Sequence, residues 1–243
     1  MRHFNEIVAM AASRQGGIST LEDVLATSRS RTPEDIAATP DDRILAAMTR
    51  RIFQAGFAWK VIDAKWGGFE EAFDCFHVGR CASMSEERFD ALLKDSRIVR
   101  NAAKIRSISL NGQFLLDLAT ANGSAARFFA DWPDTDYVGL LDFLKRRANR
   151  LGGETAMRFL RLIGKPAFIT TPDVVAALIR EQILTEKPSG KRDLRIIQNA
   201  FNEWSAQSGR DLTAISRILA MSVASLGVGE ARPRRVSSLS NST

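Results

Sequence analysis

DYVGLLDFLKRRANRLGGETAMRFLRLIGKPAFITT, residues 136–171, decides the reading of this chain. Tyr137, Leu140, Leu141 and Leu144 recur at intervals of three and four, the spacing of one helix face. Leu151-Gly152-Gly153-Glu154-Thr155 then breaks the period, and adjacent glycines admit left-handed backbone at no steric cost. A second helix restarts at once, with Ala156, Phe159, Leu160 and Ile163 on its apolar face, and Gly164-Lys165-Pro166 stops it. The predicted unit is helix, tight turn, helix. Such a turn leaves backbone N–H groups unpaired at the positive end of the second helix, which suits a phosphate oxygen. Lys145, Arg146, Arg147 and Arg150 lead into the turn, Arg158, Arg161 and Lys165 follow it, and Glu154 is the only acid between Lys145 and Lys165. Gly152 and Gly153 are therefore candidates for contact with a nucleic-acid backbone. The plainer alternative is a helical hairpin with a solvated basic face.

The rest of the chain agrees with a helical protein. Its 243 residues suffice for one large domain or two small ones, and 45% of them are apolar, enough for a sizeable core. The net charge of +6 and pI near 9.7 suit a polyanionic partner. Cys75 and Cys81 are the only cysteines and His3 and His77 the only histidines, so there is no disulfide framework and no Cys-x-x-Cys pair. That fits a reducing cytoplasm. No apolar run reaches the length of a membrane span. Asn5, Glu6 and Arg14 interrupt the N-terminus too early for a signal peptide.

In order along the chain, residues 1–40 form an N-terminal extension. It has a short amphipathic helix through Phe4, Ile7, Val8 and Ala11, a second over Thr20–Ala26, and a loop with at most a helical turn over Ser28–Pro40. The main domain spans residues 41–229. It opens on a long helix starting at Asp41-Asp42, whose stripe Leu45, Met48, Ile52, Ala55, Trp59 and Ile62 is closed by Gly67-Gly68. Further helices are expected over Ser85–Leu93, Ile98–Leu118, Ala125–Trp132, Pro172–Ile183, Asp193–Ser205 and Leu212–Ser225. Pro172 suits a first helical turn. Residues 230–243 are rich in Arg and Ser and read as a mobile tail. No strand-like alternation of useful length occurs, and the fold class is all-α.

The hairpin pattern LGGETAMRFLRLIGKPAFI resembles the helix-hairpin-helix of DNA glycosylases, in which an L-x-G-x-x-T-A pattern binds DNA backbone and a G-x-P-A-F segment follows the second helix. That resemblance adds Thr155 to the DNA-contact candidates. Three further pieces, in order, resemble the DNA-3-methyladenine glycosylase I family: Gln54-Ala55-Gly56 with Trp59; Phe69-Glu70-Glu71-Ala72-Phe73; and Ile98-Val99-Arg100-Asn101 with Lys104-Ile105 and the downstream Asn111. The resemblance covers roughly residues 41–185. It implies a helix-hairpin-helix glycosylase-like bundle that hydrolyses the N-glycosidic bond of an alkylated purine, chiefly 3-methyladenine, in double-stranded DNA carrying the damaged base.

Under that resemblance Trp59 is a pocket wall, with Phe53 and Phe57 behind it, and Gln54 reads a base edge. An aromatic wall stacks on a base taken out of the duplex, and cation–π attraction favours an alkylated, positively charged ring. Arg100 and Lys104, four apart, are expected on one helix face with both reaching phosphates. Asp173 is a candidate catalytic acid shortly after the G-x-P-A-F segment, against the reading of a helix N-terminal acid.

The departures are as informative. Arg51 stands where the family carries the Glu to which base recognition is assigned, and a cation is a poor host for a cationic purine. Nothing in residues 1–40 matches the family's tyrosine-bearing N-terminal segment, and Tyr137 is the only tyrosine. After Cys81 there is neither Cys nor His, so the family's zinc site has no ligand set here. The expectation is a zinc-free, cofactor-free, monomeric glycosylase of the bacterial type, cytoplasmic and nucleoid-associated. It is monofunctional, since no lysine nucleophile stands out beside the hairpin. The alternatives are a non-catalytic helix-hairpin-helix DNA-binding protein and a helical protein-interaction module; the last leaves the basic hairpin unexplained.

Overall fold

The computed structural model describes residues 1–224; the expected tail over 230–243, and the end of the main domain at 229, lie outside the described residues. Among the described residues there are helices and turns but no strand. The N-terminal helices are α1 (Phe4–Gln15), α2 (Ile18–Ala26) and the single turn α3 (Pro33–Ala37). They do not stand apart from the main domain. Phe4 lies 5.9 Å from Trp204 ring to ring, Arg2 pairs with the buried Glu181 at 2.8 Å, and Arg210 pairs with Glu22. α1 and α2 thus close over the last helices, α13 (Pro172–Arg180), α14 (Lys191–Ser208) and α15 (Leu212–Met221), while α3 packs against the helix Ala125–Asp131.

The long helix expected from Asp41 through Ile62 is in fact broken. α4 (Asp41–Gln54) buries Leu45, Met48 and Ile52, but Ala55 turns to extended backbone and Gly56 takes φ +76. α5 (Trp59–Ala64) restarts in a new direction, and only Ile62 of its part of the stripe is buried. The apolar period ran through the break because Ala55 and Trp59 fall on the helical count by coincidence; both are exposed. Gly67-Gly68 does not close a helix either. Both lie inside α6 (Trp66–Ala72), and a Cβ on Gly68 would stand 2.6 Å from the Arg97 carbonyl oxygen. Glycine is there for close approach.

α6 carries a ladder of rings. Trp66 stacks on Phe69 and Phe76 at 5.5 Å each, and Phe53 meets Phe69 edge-on at 4.7 Å. After Asp74-Cys75-Phe76, whose φ values of 50, 52 and 60° form a left-handed turn, come α7 (Val78–Ala82) and α8 (Glu86–Leu92). Arg88 holds that turn through Asp74 at 2.7 Å, and Arg43 donates to the Cys75 carbonyl.

The expected helix over Ile98–Leu118 is displaced. α9 runs Ala102–Asn122, with the Asn101 side chain accepting from the Lys104 N–H as its N-cap. α10 (Ala125–Asp131) follows, its first N–H groups donating to both Asp41 carboxylate oxygens at 2.9 Å. Asp41, read from sequence as an acid serving its own helix, caps another. The central hairpin forms as expected from α11 (Tyr137–Arg147) and α12 (Glu154–Leu162).

Candidate base pocket and DNA interface

The hairpin turn is built by three devices. Ala148 donates back to Leu144 to end α11, and Arg150 adopts φ +60. Asn111, buried in α9, accepts from the Asn149 N–H at 2.7 Å and donates to the Asn149 carbonyl at 3.1 Å. Gly153 then takes φ 55 and ψ −135 as the N-cap of α12, with no side-chain cap. This backbone is open essentially to glycine alone. The first N–H groups of α12 therefore have no capping side chain to donate to. Gly152 is ordinary by comparison: an added Cβ meets only Lys145 Cγ at 3.7 Å.

The two glycines should consequently behave differently. Gly153→Val is expected to strain the turn by about 1–3 kcal/mol, while Gly152→Ala should leave thermal stability unchanged. Equal destabilisation by the two, measured by thermal unfolding, would contradict this geometry.

Around the turn, Lys145, Arg146, Arg147, Arg150 and Arg100 are exposed. Asp142 lies 3.3 Å from Arg146, and Asp117 is 3.9 Å from Arg147. Two other cations of the sequence pattern turn inward. Lys165 is buried and donates to the Ala130 and Trp132 carbonyls, with Asp134 at 2.9 Å. Arg161 donates to the Ala167 carbonyl at 2.7 Å.

The largest correction concerns Lys104. It does not share an exposed face with Arg100, because Arg100 precedes the helix. Lys104 is buried, and its Nζ donates to the carbonyls of Phe53 at 3.1 Å and Ala55 at 2.6 Å. These are the last carbonyls of α4, the end at which a cation is favoured. The Phe57 ring covers the ammonium at 4.6 Å. Lys104 thus fixes the break after Gln54 rather than a phosphate. Burial, and then repulsion from Arg150, hold its ammonium below the usual lysine range.

That break opens a cavity of about 300 Å³, at the lower end of ligand-pocket volumes (~300–1,000 Å³). Arg51, Gln54, Ala55, Gly56 and Trp59 line one side; Glu154, Thr155 and Arg158 of α12 line the other. Among the expected residues, Arg51, Gln54, Trp59 and Thr155 are thus brought together. Phe53 is not among them: its ring is fully buried against Phe69, because the helix ends one residue later and points it into the core. Phe57 lies outside the lining, 41% exposed on the adjoining loop. Asp173 does not line the cavity. It sits in the first turn of α13, beside the Thr171 cap, where an acid suits the helix dipole.

The carboxylate that does reach the cavity is Glu154, bonded to Arg158 Nε at 2.6 Å. Sequence reasoning missed both as lining residues. Their signal was the lone acid of a basic hairpin, four residues before an arginine.

Within the cavity the contacts are specific. Arg51 Nη1 donates to Gln54 Oε1 at 2.9 Å, and Gln54 Nε2 donates to Asp63 Oδ1 at 3.2 Å. Asp63 is held in turn by Arg50 at 2.7 Å. Gln54 is buried, so its amide is oriented by protein groups at both ends. The guanidinium carbons of Arg51 and Arg158 each lie 5.0 Å from the centroid of the Trp59 ring, which is 39% exposed. Tyr137 is remote and buried, donating to the Phe168 carbonyl at 3.0 Å. Burial pushes the Cys81 thiol up to about 12, and among the described residues no three His, Cys, Asp or Glu side chains converge as a metal-binding set.

The glycine hairpin of this all-α bundle thus abuts a cavity with an aromatic wall. Residues 37–139 match the family model described as Methyladenine glycosylase. The match holds Arg51, Gln54, Trp59 and Lys104 but ends before the hairpin turn. Among solved structures, the chain is similar to 3-methyladenine DNA glycosylase I from Staphylococcus aureus, at 24% identity and TM-score 0.45 over 51% of this chain and 76% of that one. It is also similar to a 3-methyladenine DNA glycosylase I in complex with 3-methyladenine, at 23% identity and TM-score 0.47 over 51% and 77% of the two chains. Among the described residues no helix is long and apolar enough to cross a membrane.

Proposed function

We propose that the protein is a monofunctional N-glycosylase of base-excision repair, acting as a monomer on double-stranded DNA in the cytoplasm, at the nucleoid. Its reaction is hydrolysis of the bond joining a damaged purine, such as 3-methyladenine, to deoxyribose. The observation that carries this reading is a shared wall: Thr155 and Glu154, at the hairpin turn, line the same cavity as Gln54, Gly56 and Trp59. A duplex held at Gly152 and Gly153 therefore has a base-sized cavity beside it. Gly56 leaves the backbone open, with nothing within 4 Å of an added Cβ, and Trp59 offers a stacking face. Phe57, exposed on the adjoining loop, is placed to fill the gap left in the stack. Arg100 and the exposed cations of α11 supply phosphate contacts.

An alkylated purine is already a good leaving group, so the site needs recognition and modest electrostatic help more than a strong acid. Asp173 is not needed in this scheme, and no cofactor is. The second reading, a non-catalytic DNA-binding relative, is favoured by Arg51 in the cavity and by the distance of Tyr137 from it. Base release from alkylated duplex, run beside binding to undamaged duplex, separates the two. We expect release, and an affinity that falls steeply with salt as counterions are displaced. Salt-sensitive binding without release supports the second reading, and no binding defeats both.

A further inference from the structure

The cavity is more cationic than the release of an alkylated purine requires. Arg51 and Arg158 both stand at the Trp59 ring, and Glu154, the carboxylate among the lining residues, is engaged by Arg158. Arg51 is held in place: Gln54 accepts from it and is itself fixed by Asp63, which Arg50 holds. A base resting on Trp59 thus meets guanidinium N–H donors whose position is set before it arrives. Guanidinium has donors and no acceptor. It suits a ring edge bearing a carbonyl oxygen and repels a ring bearing positive charge.

We propose that Arg51 equips this pocket to excise neutral, carbonyl-bearing purines, the deaminated lesions hypoxanthine and xanthine, as a further activity. The inference rests on the glycosylase reading above. Its chemistry differs from release of an alkylated base. When water adds to C1′ and the C1′–N9 bond breaks, the bonding electron pair leaves with the base. A cationic purine departs neutral, whereas a neutral purine departs as an anion. The anion is then neutralised by the proton that the attacking water gives up, leaving a hydroxyl on C1′ and the free purine. Donors already aimed at the carbonyl edge stabilise the charge that develops there. Arg51 acts on the leaving base, and Gln54 is a positioning residue for it.

The test uses the full chain, Arg51→Glu and Arg51→Gln, with thermal unfolding to establish that each variant folds. Release is measured from duplexes holding one hypoxanthine or one xanthine, and from methylated duplex. We expect the wild-type protein to release the deaminated bases. Both variants should lose that release by roughly ten- to hundred-fold, the worth of a hydrogen bond to a charged group, with 3-methyladenine release raised in Arg51→Glu. Release of 3-methyladenine alone by the wild-type protein overturns the inference and leaves the glycosylase reading standing. So does equal loss on both kinds of substrate. If no base is released at all, the glycosylase reading fails. The excision of deaminated purines then falls with it.

Discussion

Trp59→Ala is expected to lower damaged-base excision by roughly ten- to hundred-fold, the worth of one base stacked on an aromatic ring (about 1–3 kcal/mol). Binding to undamaged duplex should change little. The reason is the break after Gln54. Trp59 is 39% exposed at the cavity mouth instead of lying in the stripe of α4. Truncation removes a stacking face without opening a hole in the core. Trp204 is the internal control. It is fully buried against Phe4 and Phe201, so Trp204→Ala should cost ~3–5 kcal/mol of stability and depress every activity together. If Trp59→Ala unfolds the protein as Trp204→Ala does, Trp59 is a packing residue and the pocket is elsewhere.

Lys104→Met is expected to be the most destabilising single change at the site, by about 2–5 kcal/mol. It strands the Phe53 and Ala55 carbonyls, and an unsatisfied buried acceptor costs ~1–3 kcal/mol. The mutant should also lose excision, since those carbonyls set the path of Gly56 into the cavity. A DNA-contact lysine would behave oppositely, with stability held and only affinity and its salt slope reduced. Titration separates the two roles again. Burial depresses the Lys104 value in the folded chain, so between that value and the ordinary lysine range the unfolded chain binds more protons. Stability should therefore rise with pH across that window. In Lys104→Met this contribution should vanish. A wild-type profile matching that of the mutant would remove Lys104 from the buried role.

Much of this protein was legible in its sequence by local rules. The α11–turn–α12 hairpin follows from an apolar period interrupted by Gly152-Gly153, and the structure keeps that boundary to within a residue or two. The left-handed φ of Gly153 is a backbone demand that only its residue type announces. Gln54, Trp59 and Arg51 were singled out by resemblance to a family motif, and the absence of Cys and His after Cys81 by a simple count.

What only the tertiary structure decided is which side chains face inward. Periodicity carried one helix through Ala55 and Trp59, but a helix ends where its last carbonyls find another partner, and that partner, Lys104, lies some fifty residues further along the chain. Lys104 and Lys165 read as surface cations because no local signal marks a lysine that donates to distant carbonyls. Asp41 read as serving its own helix, yet its carboxylate caps α10. Glu154 and Arg158 entered the pocket only when α12 packed against α4. Residue type and spacing determined the hairpin and the pocket's chemical inventory. The direction in which each charge points was set by hydrogen bonds between elements far apart in the chain, which spacing does not record.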